Sequence, residues 1–327
     1  MKKTIKAIIL LCLMAIMLFC IASCDVLDSY LRNPSEITPK ETTSDDTPVV
    51  KDYKLVLVTD SSINNNKVSN YVLTLVIGAD NKIVAARFDC ADITPALDEA
   101  GALIAQDSVT TKVEYGASYG MAGGSWAEQV KAFEDAIVGK TADEVASLDL
   151  TLVAGCTMPY SPYTFKALVA KAFASTLKVS FSTADTITVG TAINSAVKSG
   201  KGGKVTVGSD FAGVVMANGK VVATMIDSCE QSFTIADGAL VAPETAAVSK
   251  NDQGDTYGGG TPEAPAMAAG HWYQQAQAFA DSTVGKTAAE LENLETVSDA
   301  LAAAGCTMKN TTGGYKTTII AAVGYAR

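Results

Sequence analysis

WAEQVKAFEDAIVGKTA at residues 126–142 returns as WYQQAQAFADSTVGKTA at residues 272–288. Trp126, Gln129, Phe133, Val138, Gly139, Lys140, Thr141 and Ala142 of the first copy meet Trp272, Gln275, Phe279, Val284, Gly285, Lys286, Thr287 and Ala288 of the second at identical spacing. Downstream of each block stands one five-residue string, Ala154-Gly155-Cys156-Thr157-Met158 and Ala304-Gly305-Cys306-Thr307-Met308. One module therefore occurs twice, and what it does is carried by what both copies retain.

Within the block, Trp126, Val130, Phe133 and Ile137 fall on one helical face, and Gly139 is a natural stop for that helix. Thr141-Ala-Asp-Glu144 and Thr287-Ala-Ala-Glu290 are capping boxes that start a second helix in each copy. A last helix over Thr164 to Ala174 follows the Gly-Cys-Thr turn, with Ser161 as N-cap and Pro162 in its first turn. Upstream the pattern is β. Tyr53 to Asp60 alternates, and Tyr71–Ile77, Asp80-Asn81, Lys82–Phe88 reads as a hairpin. The second copy has Phe211–Met216, Asn218-Gly219, Lys220–Ile226, where Asn-Gly supplies the two positive φ angles of a tight hairpin turn. Strands first and helices after make each module α+β, a small antiparallel sheet with helices, present in two tandem copies at 52–175 and 176–327. Residues 176–203 match nothing upstream of the first hairpin. They contain strand-like Leu177 to Phe181, a short helix through Ile193 to Val197, and a Gly/Lys-rich turn at Ser199 to Lys204.

Residues 1–23 form an export signal: Lys2, Lys3 and Lys6 precede an unbroken apolar run from Ala7 to Ala22, too short to span a bilayer comfortably. Ile21-Ala22-Ser23-Cys24 resembles the lipobox of bacterial lipoproteins, which implies lipidation of Cys24 as the first mature residue. The alternative is an ordinary signal peptide with an incidental cysteine. Two or more acyl chains would anchor the protein stably on the outer, extracytosolic face of the cell membrane. Residues 24–51, rich in Ser, Thr, Pro, Asp and Glu, read as a flexible tether. The whole chain carries 25 basic and 35 acidic side chains, a net −10; without residues 1–23 the balance is 22 to 35, or −13. Such a surface repels nucleic acid, so no nucleic-acid partner is expected.

His271 is the only histidine. It sits in one repeat only, which argues against a zinc site, a Ser-His-Asp triad or a Cys-His pair and makes it a surface or packing residue. Gly139-Lys140-Thr141 lacks the upstream glycine frame of a phosphate loop and lies between two helices.

Taken in order, Thr111-Lys112, Tyr119-Gly120-Met121, Trp126-x-x-Gln129, Gly139-Lys140-Thr141 and Gly155-x-Thr157 resemble the extracytosolic FMN-binding lipoproteins. The second copy keeps Lys250, Tyr257-Gly258, Trp272, Gln275 and Gly305-x-Thr307, with an eight-residue insertion between Tyr257 and Trp272. In that family the threonine closing a Ser-Gly-Ala-Thr motif receives FMN through a phosphoester bond, installed from FAD by a separate flavin transferase. The resemblance implies Thr157 and Thr307 as attachment points and Gly155 and Gly305 as the motif glycines. Ala154 and Ala304 replace the serine, Cys156 and Cys306 replace the alanine, and no Glu-Thr-Pro-Gly-like stretch is evident. A glycine lets a bulky cofactor approach, and a helix start favours a phosphate. Tyr119 or Trp126, and Tyr257 or Trp272, could wall the flavin ring while Gln129 and Gln275 bond its heteroatoms. Equally, the tryptophans could be core residues, the glutamines solvated and the threonines helix caps.

Cys90, Cys156, Cys229 and Cys306 also fall two per repeat. Disulfides Cys90–Cys156 and Cys229–Cys306 would each contribute about 4 kcal/mol on a chain-entropy argument and are permitted in an exported protein. Four buried thiols are the other reading. The function expected is a membrane-anchored electron carrier, not an enzyme in the usual sense, whose covalent FMN exchanges electrons with redox partner proteins. The alternative is a cell-surface binding or structural lipoprotein that keeps the fold without flavin.

Overall fold

Leu55-Val56-Leu57-Val58 is buried at every position, which a strand achieves only when both of its faces are covered. That segment lies in the middle of β1 (Lys51–Asn64), which pairs antiparallel with β2 (Lys67–Gly78), itself paired with β3 (Ile83–Ile93). The computed structural model describes residues 49–158, 161–308 and 312–327. The signal segment, Cys24 and the tether up to residue 48 lie outside the described residues.

Two short pairs, β4 (Ala96–Leu97) with β5 (Leu103–Ile104) and β6 (Gly120–Met121) with β7 (Gly124–Ser125), decorate the path into the helices. Those are α1 (Lys112–Tyr115), α2 (Trp126–Ile137), α3 (Ala142–Ala146) and α4 (Ser161–Ala174). The second module repeats the order: β9 (Ile187–Ser199), β10 (Val205–Ala217), β11 (Lys220–Ala236), then α5 (Lys250–Gln253), α6 (Trp272–Asp281), α7 (Ala288–Glu292), α8 (Asp299–Ala303) and α9 (Thr312–Gly324). β8 (Val179–Thr183) follows the first module in sequence yet completes its sheet, giving the order β3-β2-β1-β8. The other sheet runs β12-β11-β10-β9, with β12 spanning Ala239–Val241. The fold is α+β, and Pro48–Arg327 forms one compact unit.

Three apolar cores define four layers. Val56, Leu73, Leu75 and Phe88 pack under Trp126, Phe133 and Phe165. Ala212, Val214 and Ile226 pack under Trp272, Phe279 and Tyr315. Between the sheets, Leu55, Leu57, Val72 and Val76 meet Val189, Ile193, Phe211 and Val215. Each such side chain contributes roughly 1.5–3 kcal/mol by leaving water. The order is therefore helices, sheet, sheet, helices. Polar groups on the intersheet faces find partners across the gap: Thr59 Oγ1 donates to Asp227 at 3.0 Å, Asn70 Nδ2 to Ser209 at 2.7 Å, and Thr74 Oγ1 to Thr191 at 2.9 Å. A second tie runs through Glu134, 1 % exposed, which accepts from the Phe88 amide at 2.9 Å and pairs with Arg87 at 3.5 Å and Arg327 at 2.7 Å. Arg327 in turn exchanges both backbone hydrogen bonds with Val189 of β9 at 3.2 Å.

The hairpins form where expected, with Asn81 at φ 62°, Asn218 at 49° and Gly219 at 73°. Both capping boxes close, and α2 ends before Gly139 at φ 78°. One expectation is corrected: Ile193 to Val197 is not a short helix but part of β9, the counterpart of β1. Val189, Thr191, Ile193, Ser195 and Val197 alternate at period two and line the intersheet face, and β-branched residues in that pattern favour the pleat.

β9 also meets α9 closely. A Cβ on Gly190 would stand 1.8 Å from the Ala322 carbonyl oxygen. Gly190→Ala should lower stability by about 1–3 kcal/mol or more, since a backbone cannot give way as a side chain can. Gly208→Ala in the same sheet, where nothing lies within 4 Å of the added Cβ, should be close to neutral. Urea unfolding of the two variants checks the contrast.

Candidate functional site

At the end of each central hairpin an aspartate is buried. Asp89 Oδ1 accepts from the amides of Cys90 at 2.7 Å and Val113 at 3.2 Å. Asp227 Oδ1 accepts from Ser228 at 2.8 Å and Asn251 at 3.0 Å. Each aspartate thus ties its strand to the first turn of α1 or α5, and Thr111 and Ser249 cap those turns from outside. The first helical residue of each, Lys112 or Lys250, is thereby turned inward. Lys112 Nζ lies 3.2 Å from Asp92 and 5.6 and 5.8 Å from the rings of Tyr119 and Trp126. Lys250 Nζ lies 3.0 Å from Glu230 and 5.4 and 5.5 Å from Tyr257 and Trp272. The seven-residue Lys-to-Tyr interval is the reach of this ammonium–aromatic clamp, a contact worth about 2 kcal/mol when desolvated. Trp126 and Trp272, 1 % and 3 % exposed, are core side chains. Tyr119 and Tyr257 are half-buried beside them. Phe133 and Phe279 are fully buried.

The glutamines do something the sequence did not suggest. Gln129 and Gln275 are 0 % exposed, and each grips the threonine of its own repeat. Gln129 Oε1 accepts from the Thr157 amide at 2.7 Å and lies 2.9 Å from Thr157 Oγ1. Gln275 Oε1 accepts from the Thr307 amide at 3.0 Å and lies 2.9 Å from Thr307 Oγ1. Their Nε2 groups donate back to the preceding loop, to Ala122 and Gly124 at 3.3 Å and to Gly270 at 3.1 Å. Gly155 at φ 81° and Gly305 at φ 99° make the turn that presents the threonine. Both threonines are exposed while Cys156, Met158, Cys306 and Met308 beside them are buried. Helices α4 and α9 begin four and five residues beyond Thr157 and Thr307. Residues 159–160 and 309–311, which lie between, fall outside the described residues.

The two clasps differ in one respect. Thr157 Oγ1 also donates to the Ala122 carbonyl at 2.6 Å, and the loop passes so close that a Cβ on Gly123 would stand 2.9 Å from that oxygen. Ala269 takes the place of Gly123 in the second repeat, whose loop carries the eight-residue insertion.

All four cysteines are buried free thiols. The expected Cys229–Cys306 bond is corrected by strand parity: Cys229 faces the intersheet core, whereas Cys306 lies under the helices on the opposite face. Cys90 and Cys156 do share a core, and remain unbonded. Burial pushes the Cys90 and Cys156 thiols up and Cys229 up to about 11, so they are poor nucleophiles. His271 packs flat on Tyr273 with Nε2 3.3 Å from Asp255. Among the described residues no cluster of ligating side chains could hold a metal.

Among the cavities of about 320 to 580 Å³, two lie at site residues of the second repeat, the larger of them also lined by Asp107 of the first. One, about 530 Å³, opens beside Ala304 of the threonine turn; Lys286 and the carboxylates of Asp281, Glu290 and Glu295 line it with Ala278 and Leu301. The other, about 580 Å³, holds Lys250, Glu230, Asp210, Ser228 and Gly208. Strand register aligns Asp210 and Gly208 with Tyr71 and Ser69 of the first repeat, so smaller residues hollow out what Tyr71 fills. That signal was present in the sequence, but only strand register makes it legible. No family model, no curated protein and no solved structure matches the chain.

Burial lifts the Asp89 carboxyl to about 7, and Asp227 and Asp210 to about 6. These exceed the unfolded value of about 3.9, so between about pH 4 and pH 7 the folded chain holds protons that the unfolded chain releases. Their contribution to stability is complete below about pH 4 and is lost as pH rises through about 6 to 7. Unfolding free energy measured across that range should decline, and Asp89→Asn should flatten the upper part of the decline.

Proposed function

We propose that the protein is a membrane-anchored, extracytosolic carrier of covalently bound FMN. The observation that supports this reading best is the repeated clasp: a buried glutamine holds an exposed threonine hydroxyl at the tip of each Gly-Cys-Thr turn. Three observations support a phosphate-linked group at Thr307: the hydroxyl is exposed, Gln275 is its hydrogen-bond partner among the described residues, and a cavity opens beside Ala304. When bound, FMN supplies one- and two-electron redox chemistry. The protein's own part is to fix the attachment oxygen, with Gln275 holding the turn through the Thr307 amide. Trp272 packs the helix that carries Gln275 into the core. Cys24 would supply the lipid anchor, with a flavin transferase and redox proteins as partners.

A second reading, a cell-surface binding lipoprotein without flavin, is favoured by the polar cavity of about 580 Å³ around Lys250 and Asp210. Its size lies in the range of small-ligand sites. Full-length protein co-expressed with a flavin transferase should turn yellow, gain the mass of FMN less water, and sediment with membranes. Cys24→Ala should keep the colour and leave the membrane fraction. A colourless protein of unchanged mass would leave only the binding module.

A further inference from the structure

Resting on the carrier reading, we propose that Thr307 is the flavin-bearing residue and that Thr157 is a structural threonine. The module is duplicated, so each repeat serves as the other's control. Both hydroxyls lie 2.9 Å from a glutamine Oε1. Among the described residues, only Thr157 Oγ1 also contacts a backbone carbonyl, that of Ala122 at 2.6 Å.

Attachment proceeds by attack of the threonine oxygen on the FMN phosphorus of FAD. One O–P bond forms, the pyrophosphate O–P bond breaks, and AMP departs with the hydroxyl proton taken up by the medium. The product oxygen is an ester oxygen with no hydrogen. At Thr307 this loses one hydrogen bond, to a glutamine that still accepts from the Thr307 amide at 3.0 Å. At Thr157 the single hydroxyl proton is shared between Gln129 Oε1 at 2.9 Å and the Ala122 carbonyl at 2.6 Å, so its loss leaves two oxygens 2.6 Å apart with no proton between them.

Access differs in the same direction. The loop over Thr157 approaches to a distance that only glycine permits, with a Cβ on Gly123 standing 2.9 Å from Oγ1 and 3.0 Å from Cγ2. Ala269 carries that Cβ in the second repeat, and the inserted residues between Tyr257 and Trp272 lengthen the loop. The cavity of about 530 Å³ has Ala304 of the second turn in its wall.

The test is intact mass and peptide mapping of the full chain co-expressed with a flavin transferase and supplied with FAD. One added FMN less water is expected, on the peptide that contains Thr307, with occupancy at Thr157 lower by roughly tenfold or more, because the ester there would leave the 2.6 Å contact with the Ala122 carbonyl without a proton. Thr307→Val should abolish loading, Thr307→Ser should restore it, and Thr157→Val should leave it intact. Mapping of the unmutated protein decides the site even if a variant folds poorly. Two flavins, or one on the Thr157 peptide, overturn the assignment while leaving the carrier reading standing. No flavin at all ends both.

Discussion

Each module covers only one face of its sheet with helices, and that is the constraint from which the architecture follows. The uncovered faces carry Leu55, Leu57, Val72 and Val76 on one side and Val189, Ile193, Phe211 and Val215 on the other. A lone module would leave such an apolar surface in water, so the two sheets close on each other. The intersheet layer also carries hydroxyls and amides, and these are satisfied across the gap through Thr59–Asp227, Asn70–Ser209 and Thr74–Thr191. Leaving any of them unpaired there would cost about 1–3 kcal/mol, so the pairing fixes register as well as contact.

The same contact explains features that are awkward within either module alone. β8 lies beyond the first module in sequence but pairs with β1, so the connection is itself a strand of the neighbouring sheet. Arg327 reaches Glu134 and Arg87, tying the last residues of one module to α2 and β3 of the other. Asp227 serves both roles at once, capping the first turn of α5 and accepting from Thr59 across the interface. An inner face built for a neighbour accounts for an uninterrupted apolar run such as Leu55 to Val58 better than one-sided alternation does.

Much of each module was legible in the sequence because its signals are local. Turn asparagines and glycines need positive φ, capping boxes span a few residues, and a helix face repeats at 3.6. Ile193–Val197, a strand in the structure, reads as a helix in isolation because five residues with two β-branched members do not separate period two from a helical turn. Of the site, the exposed threonine in its glycine turn was legible from the duplication itself. The Gln–Thr clasp was not, because Gln129 and Thr157 lie 28 residues apart and Gln275 and Thr307 lie 32 apart. The Lys–Trp–Tyr clamp was visible as spacing without a reason, since the ammonium turns inward only once a buried aspartate has oriented the helix that carries it.

By itself the sequence determined the α+β class, which residues the two repeated blocks both retain, and where the turns and helix starts fall. These depend on neighbours along the chain, whose geometry is set by φ/ψ preference and periodicity. Only the tertiary structure decided which side of a strand a residue serves. It set Cys229 against the neighbouring sheet and away from Cys306, buried the tryptophans, and brought the Ala122 carbonyl onto the Thr157 hydroxyl. Those outcomes rest on contacts between segments far apart in the chain, where a shift of one residue in strand register reverses every side chain.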